Sequence, residues 1–404
     1  MLIARQPILN SSQEVYAYEI LFRSQSRSTD SPDFDGNQAT AEVITEGIGL
    51  MGFRELTGGK KAFINFTGDL LKQEIVSVLP QNLTGIEILE DVKPNREIIT
   101  VCRKIKDQGY LLVLDDFVFC SELKPLIQLA DIIKIDFLNT TPDYRQLVSS
   151  RLGNSSITFL AEKVETEKQF REALELNYEL FQGYFFSKPE IISRRDLPGF
   201  KINYLNLMKE INKAEPDFQK IGELIKKDIS LTYMLLRLVN SAYFGFKTEI
   251  ESVKQSLTLL GIKEIKKWLS LQLMRELGKN KPDILFITAL TRAKFAELCA
   301  PLINSEHRRM DLYVMGMFSL IDAFFDLPMQ KLVEELYLPE DIKQALLQEK
   351  GNLGQLLQII KYYEKGRWQQ LDQLSQRLEI ATETLSEYYI EAIEDAEQTL
   401  ELIS

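Results

Sequence analysis

Apolar and polar positions follow two different rhythms along this chain. In the first half, short β-branched and aromatic runs close on polar or charged residues and are separated by longer stretches of helical spacing. The runs are "VYAYEILF" (15–22), "KAFINFT" (61–67), "GIEILE" (85–90), "LLVLDDF" (111–117), "DIIKIDF" (131–137), "ITFLAEKV" (157–164) and "LFQGYFF" (180–186). From Lys61 onward they start at 61, 85, 111, 131, 157 and 180, so successive starts lie 20 to 26 residues apart. That is the length of one strand plus one helix, and its repetition predicts parallel strands covered by helices. With one more strand near Ile3 to Leu9, the count predicts an α/β (β/α)8 barrel rather than an open sheet. Catalytic groups of such barrels sit at the C-terminal ends of the strands.

The strand rhythm stops after "SKPEIISRRDLPGF" (187–200). "LTYMLLRLVNSAYFG" (231–245), "SVKQSLTLLGIKEIKKWLSLQLMREL" (252–277) and "DILFITALTRAKFAELCAPLI" (283–303) carry helical apolar spacing, punctuated by Gly245 and Gly261. The last segment predicts an amphipathic acidic helix, with Leu385, Tyr389, Ala392, Ala396, Leu400 and Ile403 on one face and a solvated charged face opposite. The expected organisation is therefore a barrel domain over 1–195 and an all-α domain over 196–404.

Composition narrows the chemistry. The chain has 404 residues, 45% hydrophobic and 26% charged, with net charge −11, which argues against nucleic-acid binding through a basic surface. No apolar run approaches the roughly 18 residues of a membrane span, and the N-terminus turns polar too early for a signal peptide. Cys102, Cys120 and Cys299 stand far apart and outside CxxC spacing, as expected of reduced thiols in a cytoplasmic protein. His307 is the single histidine. That count excludes a multi-histidine metal site and makes a Ser-His-Asp triad improbable; the polar setting "NSEHRRMD" points to an exposed side chain. No G-x-G-x-x-G or Walker-type loop occurs, which disfavours a dinucleotide or P-loop site.

The polar residues in or next to the β-rich runs include Glu19, Asn65, Glu87, Glu90, Asp115, Asp116, Lys134, Asp136, Glu162, Glu165 and Gln182. Such an oxygen-rich set suits a hard cation, Mg²⁺ or Mn²⁺. Two such ions activate water and stabilise an in-line displacement at phosphorus. A lysine can neutralise developing charge there, and an arginine such as Arg23 suits a phosphate oxygen.

Residues 1 to about 190 resemble the EAL domain family, barrel phosphodiesterases that linearise the bacterial second messenger cyclic di-GMP. "YEILFR" looks like the namesake E-x-L-x-R segment, and "INFT", "EILE", "LDDF", "KIDF", "AEKVET" and "FQGYFFSKP" follow in family order. The resemblance implies that Glu19, Asn65, Glu87 and Asp115 are metal ligands, with Asp116 and Glu162 completing a two-ion site. It implies that Lys134 assists the attacking water, that Gln182 and Arg23 hold substrate, and that Glu90 anchors the loop after "DDF". A homodimer is a further expectation from the same source. Two departures stand out. Family members usually continue D-D-F-G-T-G-Y-S-S, whereas this chain reads "DDFVFCSELKP", with Val118 and Cys120 in place of glycines; and Lys163 stands where glycine is usual. Valine cannot follow glycine's backbone path without strain, so weak or absent hydrolysis is expected. Two functional classes stay open: a working phosphodiesterase, and a barrel that binds metal or nucleotide, or neither, as a sensor or scaffold.

The second half resembles the HDOD domain, a helical output module related to HD phosphohydrolases, through "LLRLVNSAYFG" and "IESVKQSLTLLGIKEIKKWL". HD chemistry needs several histidines, so this half is expected to be non-catalytic and to contact a signalling protein. The whole resembles bacterial EAL–HDOD signalling proteins.

Overall fold

The β-rich runs form strands close to where their patterns place them: β1 (Leu2–Asn10), β2 (Val15–Arg23), β3 (Lys61–Phe66), β4 (Thr84–Ile88), β5 (Leu111–Leu114), β6 (Ile132–Asp136), β7 (Thr158–Glu162) and β8 (Leu180–Gln182). The computed structural model describes residues 2–23, 53–153, 156–188, 199–213, 215–241, 250–336 and 338–403. The strands close into a barrel in chain order. From β2 to β8 neighbours run parallel, but β1 is antiparallel to both β2 and β8. The barrel is thus not eight repeats of one βα unit. It opens with a hairpin, whose turn is held by Asn10 Oδ1 accepting from the Ser12 and Glu14 amides.

A plug of apolar side chains fills the barrel interior: Ile8, Ala17, Phe63, Val113, Ile132, Leu160 and Leu180 cluster there. β4 contributes Gly85 at this level, where a Cβ would stand 2.5 Å from the Phe63 ring. Side chains two apart on a strand share a face. The next inward position up each strand is therefore set by this layer, and it is polar in every case.

The helices between strands start on sequence-encoded caps. Asn95 and Thr141 accept from amides of their first turns, and Thr166 with Gln169 forms a capping box.

The chain divides into two compact units, Met1–Lys188 with Lys361–Ser404, and Pro189–Ile360. The division differs from the expected 1–195 and 196–404: the last two helices belong with the barrel. The reason is the apolar face of the helix Thr382–Ile403. Leu385, Tyr389, Ala392 and Ala396 are buried, and this helix packs on β1 and on the helix Phe53–Thr57. Arg5, buried on β1, donates to the Leu56 carbonyl, pairs with Glu397 at 2.7 Å and lies over the Tyr18 ring. The hairpin's outer face has no crossover helix of its own between β1 and β2, and the chain's end supplies the cover.

The unit Pro189–Ile360 is helical throughout its described residues. The long helix Val253–Gly278 breaks at Gly261, with φ +72° and ψ 169°. The helix Ile229–Val239 ends at Asn240, whose side chain bridges to the Ile250 backbone in both directions. Gly245 lies outside the described residues, with most of "VNSAYFG". Trp268 is buried, while Trp368, in the barrel's unit, is half-buried edge-on to Tyr363; His307 is exposed. Among the described residues no helix is long and apolar enough to cross a membrane.

Candidate active site

On each strand from β2 to β8 a polar residue stands two positions beyond the residue at the level of the plug. Ala17 is followed by Glu19, Phe63 by Asn65, Gly85 by Glu87, Val113 by Asp115, Ile132 by Lys134, Leu160 by Glu162 and Leu180 by Gln182. The pleat thus lifts seven side chains from seven strands into one layer on the barrel axis. β8 ends at Gln182, so this residue lies at a strand end. Gly183 then turns the chain at φ +147°, so tightly that a Cβ would meet the Val164 carbonyl oxygen at 2.1 Å.

Lys134 is at the centre and is fully buried. Its Nζ lies 2.9 Å from Asp115, 3.1 Å from Glu87, 3.2 Å from Glu19 and 3.9 Å from Glu162. Glu19 is held on three sides: it accepts from Gln182 at 2.6 Å and from Asn65 and Lys134 at 3.2 Å. Burial alone would raise the Glu19 pKa, but Lys134, Gln182 and Asn65 outweigh it and hold the carboxyl below its usual range. The other carboxylates go the opposite way. Burial, reinforced by Glu19, pushes Glu87 well up, raises Asp115, and raises Glu162 to about 8. Burial would depress Lys134, but its ring of carboxylates overcomes this and keeps it charged. One ammonium does not balance four buried carboxylates.

Several acceptors in this layer have no hydrogen-bond donor among the described residues: Glu87 Oε2, Asn65 Oδ1, Glu162 Oε2 and Gln182 Oε1. Buried polar atoms are rarely left so without a missing partner. Hard oxygen acceptors without donors fit a divalent cation. No three acidic, imidazole or thiol side chains among the described residues stand pre-assembled around an ion position, because the Lys134 ammonium takes the middle. An ion bound here must share the carboxylates with Lys134.

The remaining candidates sit at the rim. Asp116 follows Asp115 in left-handed backbone, φ +38°, and pairs at 3.4 Å with Lys163, itself at φ +56°. Arg23, the last residue of β2, is in an ion pair with Asp372 of the helix Trp368–Arg377. Glu90 is exposed. In the loop after β5, Tyr144 is the visible anchor: its hydroxyl accepts from the Phe119 amide at 2.6 Å and donates to the Phe117 carbonyl at 3.4 Å. That contact crosses from the helix Pro142–Leu152 and has no sequence signal. Sequence patterning also missed Gln6, which accepts from Gln182 at 3.2 Å; β1 runs against its neighbours, so Gln6 precedes its plug residue Ile8 instead of following it. Asp136, already among the polar residues of the β-rich runs but assigned no role there, lies two residues beyond Lys134 on the same face. It accepts from the Leu138 and Asn139 amides, the Asn139 side chain, and Lys163 at 2.6 Å.

Comparison with known proteins bears on both units. Residues 58–189 match the EAL domain model and residues 197–339 the HDOD domain model. The uncharacterized protein YuxH of Bacillus subtilis (strain 168) is 37% identical over 401 residues, covering 97% of each chain. The cyclic di-GMP phosphodiesterase CdgJ of Vibrio cholerae is 34% identical over 392 residues, covering 96% of this chain and 91% of that one. Among solved structures, an EAL domain protein from Listeria monocytogenes EGD-e is similar at 23% identity, over 46% of this chain and 86% of its own, with a TM-score of 0.37. BlrP1 of Klebsiella pneumoniae, in a manganese/cy-diGMP complex, is similar at 21% identity over 46% and 55%, with a TM-score of 0.39. Relatives that align along nearly the whole chain, and two domain models matched in this order, place the protein in one family: the chain belongs to the proteins that join an EAL domain to an HDOD domain.

Proposed function

We propose that the barrel is a divalent-metal-dependent phosphodiesterase site for cyclic di-GMP, working slowly, and that the helical unit is a non-catalytic module that contacts a signalling protein. The observation that carries this reading is the polar layer: Glu19, Asn65, Glu87, Asp115, Glu162 and Gln182 converge around Lys134 with acceptor atoms left unsatisfied. The named activity of the Vibrio cholerae relative supports the substrate.

Mg²⁺ or Mn²⁺ would be held by Glu19, Asn65, Glu87 and Asp115, with Glu162 and Asp116 adjacent. Such an ion lowers the pKa of bound water and offsets charge developing on a phosphodiester. The chain's own groups do the rest. Gln182 and Asn65 fix the Glu19 carboxylate in one orientation. Lys134, kept charged, stabilises negative charge at the centre of the layer. Glu162, 3.9 Å from Lys134 and with its pKa raised to about 8, is placed to hold a proton. The fork of Arg23 suits a phosphate oxygen, in competition with Asp372.

The rate is set low by the loop after β5. Val118 is 66% exposed and Cys120 exposed where the family usually has glycines. A misplacement of about 1 Å in such a loop costs about a hundredfold in rate. Purified protein with cyclic di-GMP and Mn²⁺ or Mg²⁺ should release linear dinucleotide at less than about 1 per second. Glu19→Ala should abolish turnover, and Asp115→Asn should weaken Mn²⁺ binding in a calorimeter. Tight binding of cyclic di-GMP with no product at any metal concentration would make the barrel a sensor instead. For the helical unit, the exposed His307 is the chain's one imidazole, too few for HD-type metal chemistry. A phosphohydrolase activity that survived Glu19→Ala but was lost in His307→Ala would defeat that half of the reading.

A further inference from the structure

Lys163 enters the site from backbone that suits glycine. It follows the last residue of β7 at φ +56°, in the left-handed region where a side chain is strained and glycine is not. A residue kept there carries a function in its side chain or a cost without return. The side chain has a defined destination. Its ammonium lies 2.6 Å from Asp136 Oδ2 and 3.4 Å from Asp116 Oδ1. Asp136 is a fixed anchor, because its other acceptor positions are taken by the Leu138 and Asn139 amides and the Asn139 side chain. The adjacent aspartates are thereby divided between two lysines: Asp115 pairs with Lys134 and Asp116 with Lys163.

We propose that Lys163 is a built-in cation that replaces a second divalent ion, so that the barrel loads one ion, on Glu19, Asn65, Glu87 and Asp115, rather than two. The inference rests on the metal-site reading above and goes beyond it in stoichiometry and in the residue responsible. A divalent ion on Asp116 would stand within ion-pair distance of the Lys163 ammonium, and like charges at that range repel strongly at the partial exposure of this rim. Asp116 would also have to leave a partner that is tethered to Asp136. Lys163 is a positioning residue: it fixes Asp116 and the charge of the rim.

The test is the number of ions bound by the full-length protein. Mn²⁺ alone is titrated by calorimetry, and bound Mn²⁺ is counted independently by loss of the free-ion paramagnetic resonance signal. The wild type should bind one Mn²⁺ per chain. Lys163→Gly, which relieves the backbone, and Lys163→Gln, which keeps the length of the side chain without its charge, should each bind two. Two ions in the wild type, or a single ion in both variants, would overturn the role of Lys163 while the metal site stands. No Mn²⁺ in any of the three proteins would overturn the metal-site reading and this inference together.

Discussion

Each residue of the barrel centre does what burial and its neighbours require. Lys134 makes the sharpest case: with no exposure and four carboxylates within 3.9 Å, it is the counterion for the layer. Lys134→Met should lose about 3–5 kcal/mol in urea unfolding, the usual effect of leaving buried charge uncompensated. Added Mn²⁺ should raise the melting temperature of this variant more than that of the wild type, because an ion that binds only the folded state takes over the missing charge. Asp136 is a second case. Burial would raise its pKa, but the Lys163 ammonium and the amides of Asn139 and Leu138 outweigh burial and hold the carboxyl below its usual range. A depressed folded-state pKa contributes stability that is present above the unfolded value, about 3.9, and is lost as pH falls through the folded value. Asp136→Asn should therefore be less stable than wild type at pH 7, and the difference between the two melting curves should shrink below about pH 4.

At the scale of elements, the pleat is the device that builds the site. An apolar plug residue and a polar residue two positions later recur on seven strands, so closing the barrel converts seven separate sequence signals into one layer. Where a strand must end on time, backbone packing enforces it. Gly183 closes β8 with its Cα against the Val164 carbonyl, which accommodates no Cβ, and its φ of +147° is open only to glycine. Gly183→Ala should cost at least about 3 kcal/mol, from overpacking and backbone strain together. It should also lower affinity for Mn²⁺, because Gln182 would lose its grip on Glu19. Unchanged stability with unchanged metal affinity would show that β8 tolerates a different ending.

On the scale of the whole molecule, the barrel's compact unit is built from both ends of the chain. The helix Thr382–Ile403 buries its apolar face on β1, the Arg5–Glu397 pair joins them, and Tyr184, just past β8, donates to the Glu364 carbonyl. A chain ending at residue 360 should therefore melt well below the full-length protein and bind hydrophobic dye, although it keeps every strand and every residue of the polar layer. An unshifted melting curve would make the last two helices dispensable. The consequence for function is that residues 361–404 act on the barrel, and Asp372 in particular acts on Arg23.

Much of this was legible along the chain. Strands repeat at short range and polar residues stand out in apolar runs, so periodicity alone determined the barrel, and the residues of its polar layer could be named individually: Glu19, Asn65, Glu87, Asp115, Lys134, Glu162 and Gln182. The histidine count alone gave the expectation that the helical unit lacks HD-type chemistry. Tertiary structure decided the rest, because it depends on partners distant in sequence. The antiparallel course of β1, and with it the place of Gln6, follows from pairing with β8 across more than 170 residues of chain. The anchoring of the loop after β5 by Tyr144, and not by the exposed Glu90, depends on where a helix lands. The pairing of Arg23 with Asp372 spans 349 residues, and the assignment of the last helices to the barrel depends on which apolar face was left uncovered. Local patterns encode what each residue prefers; the closed barrel decides which preferences meet.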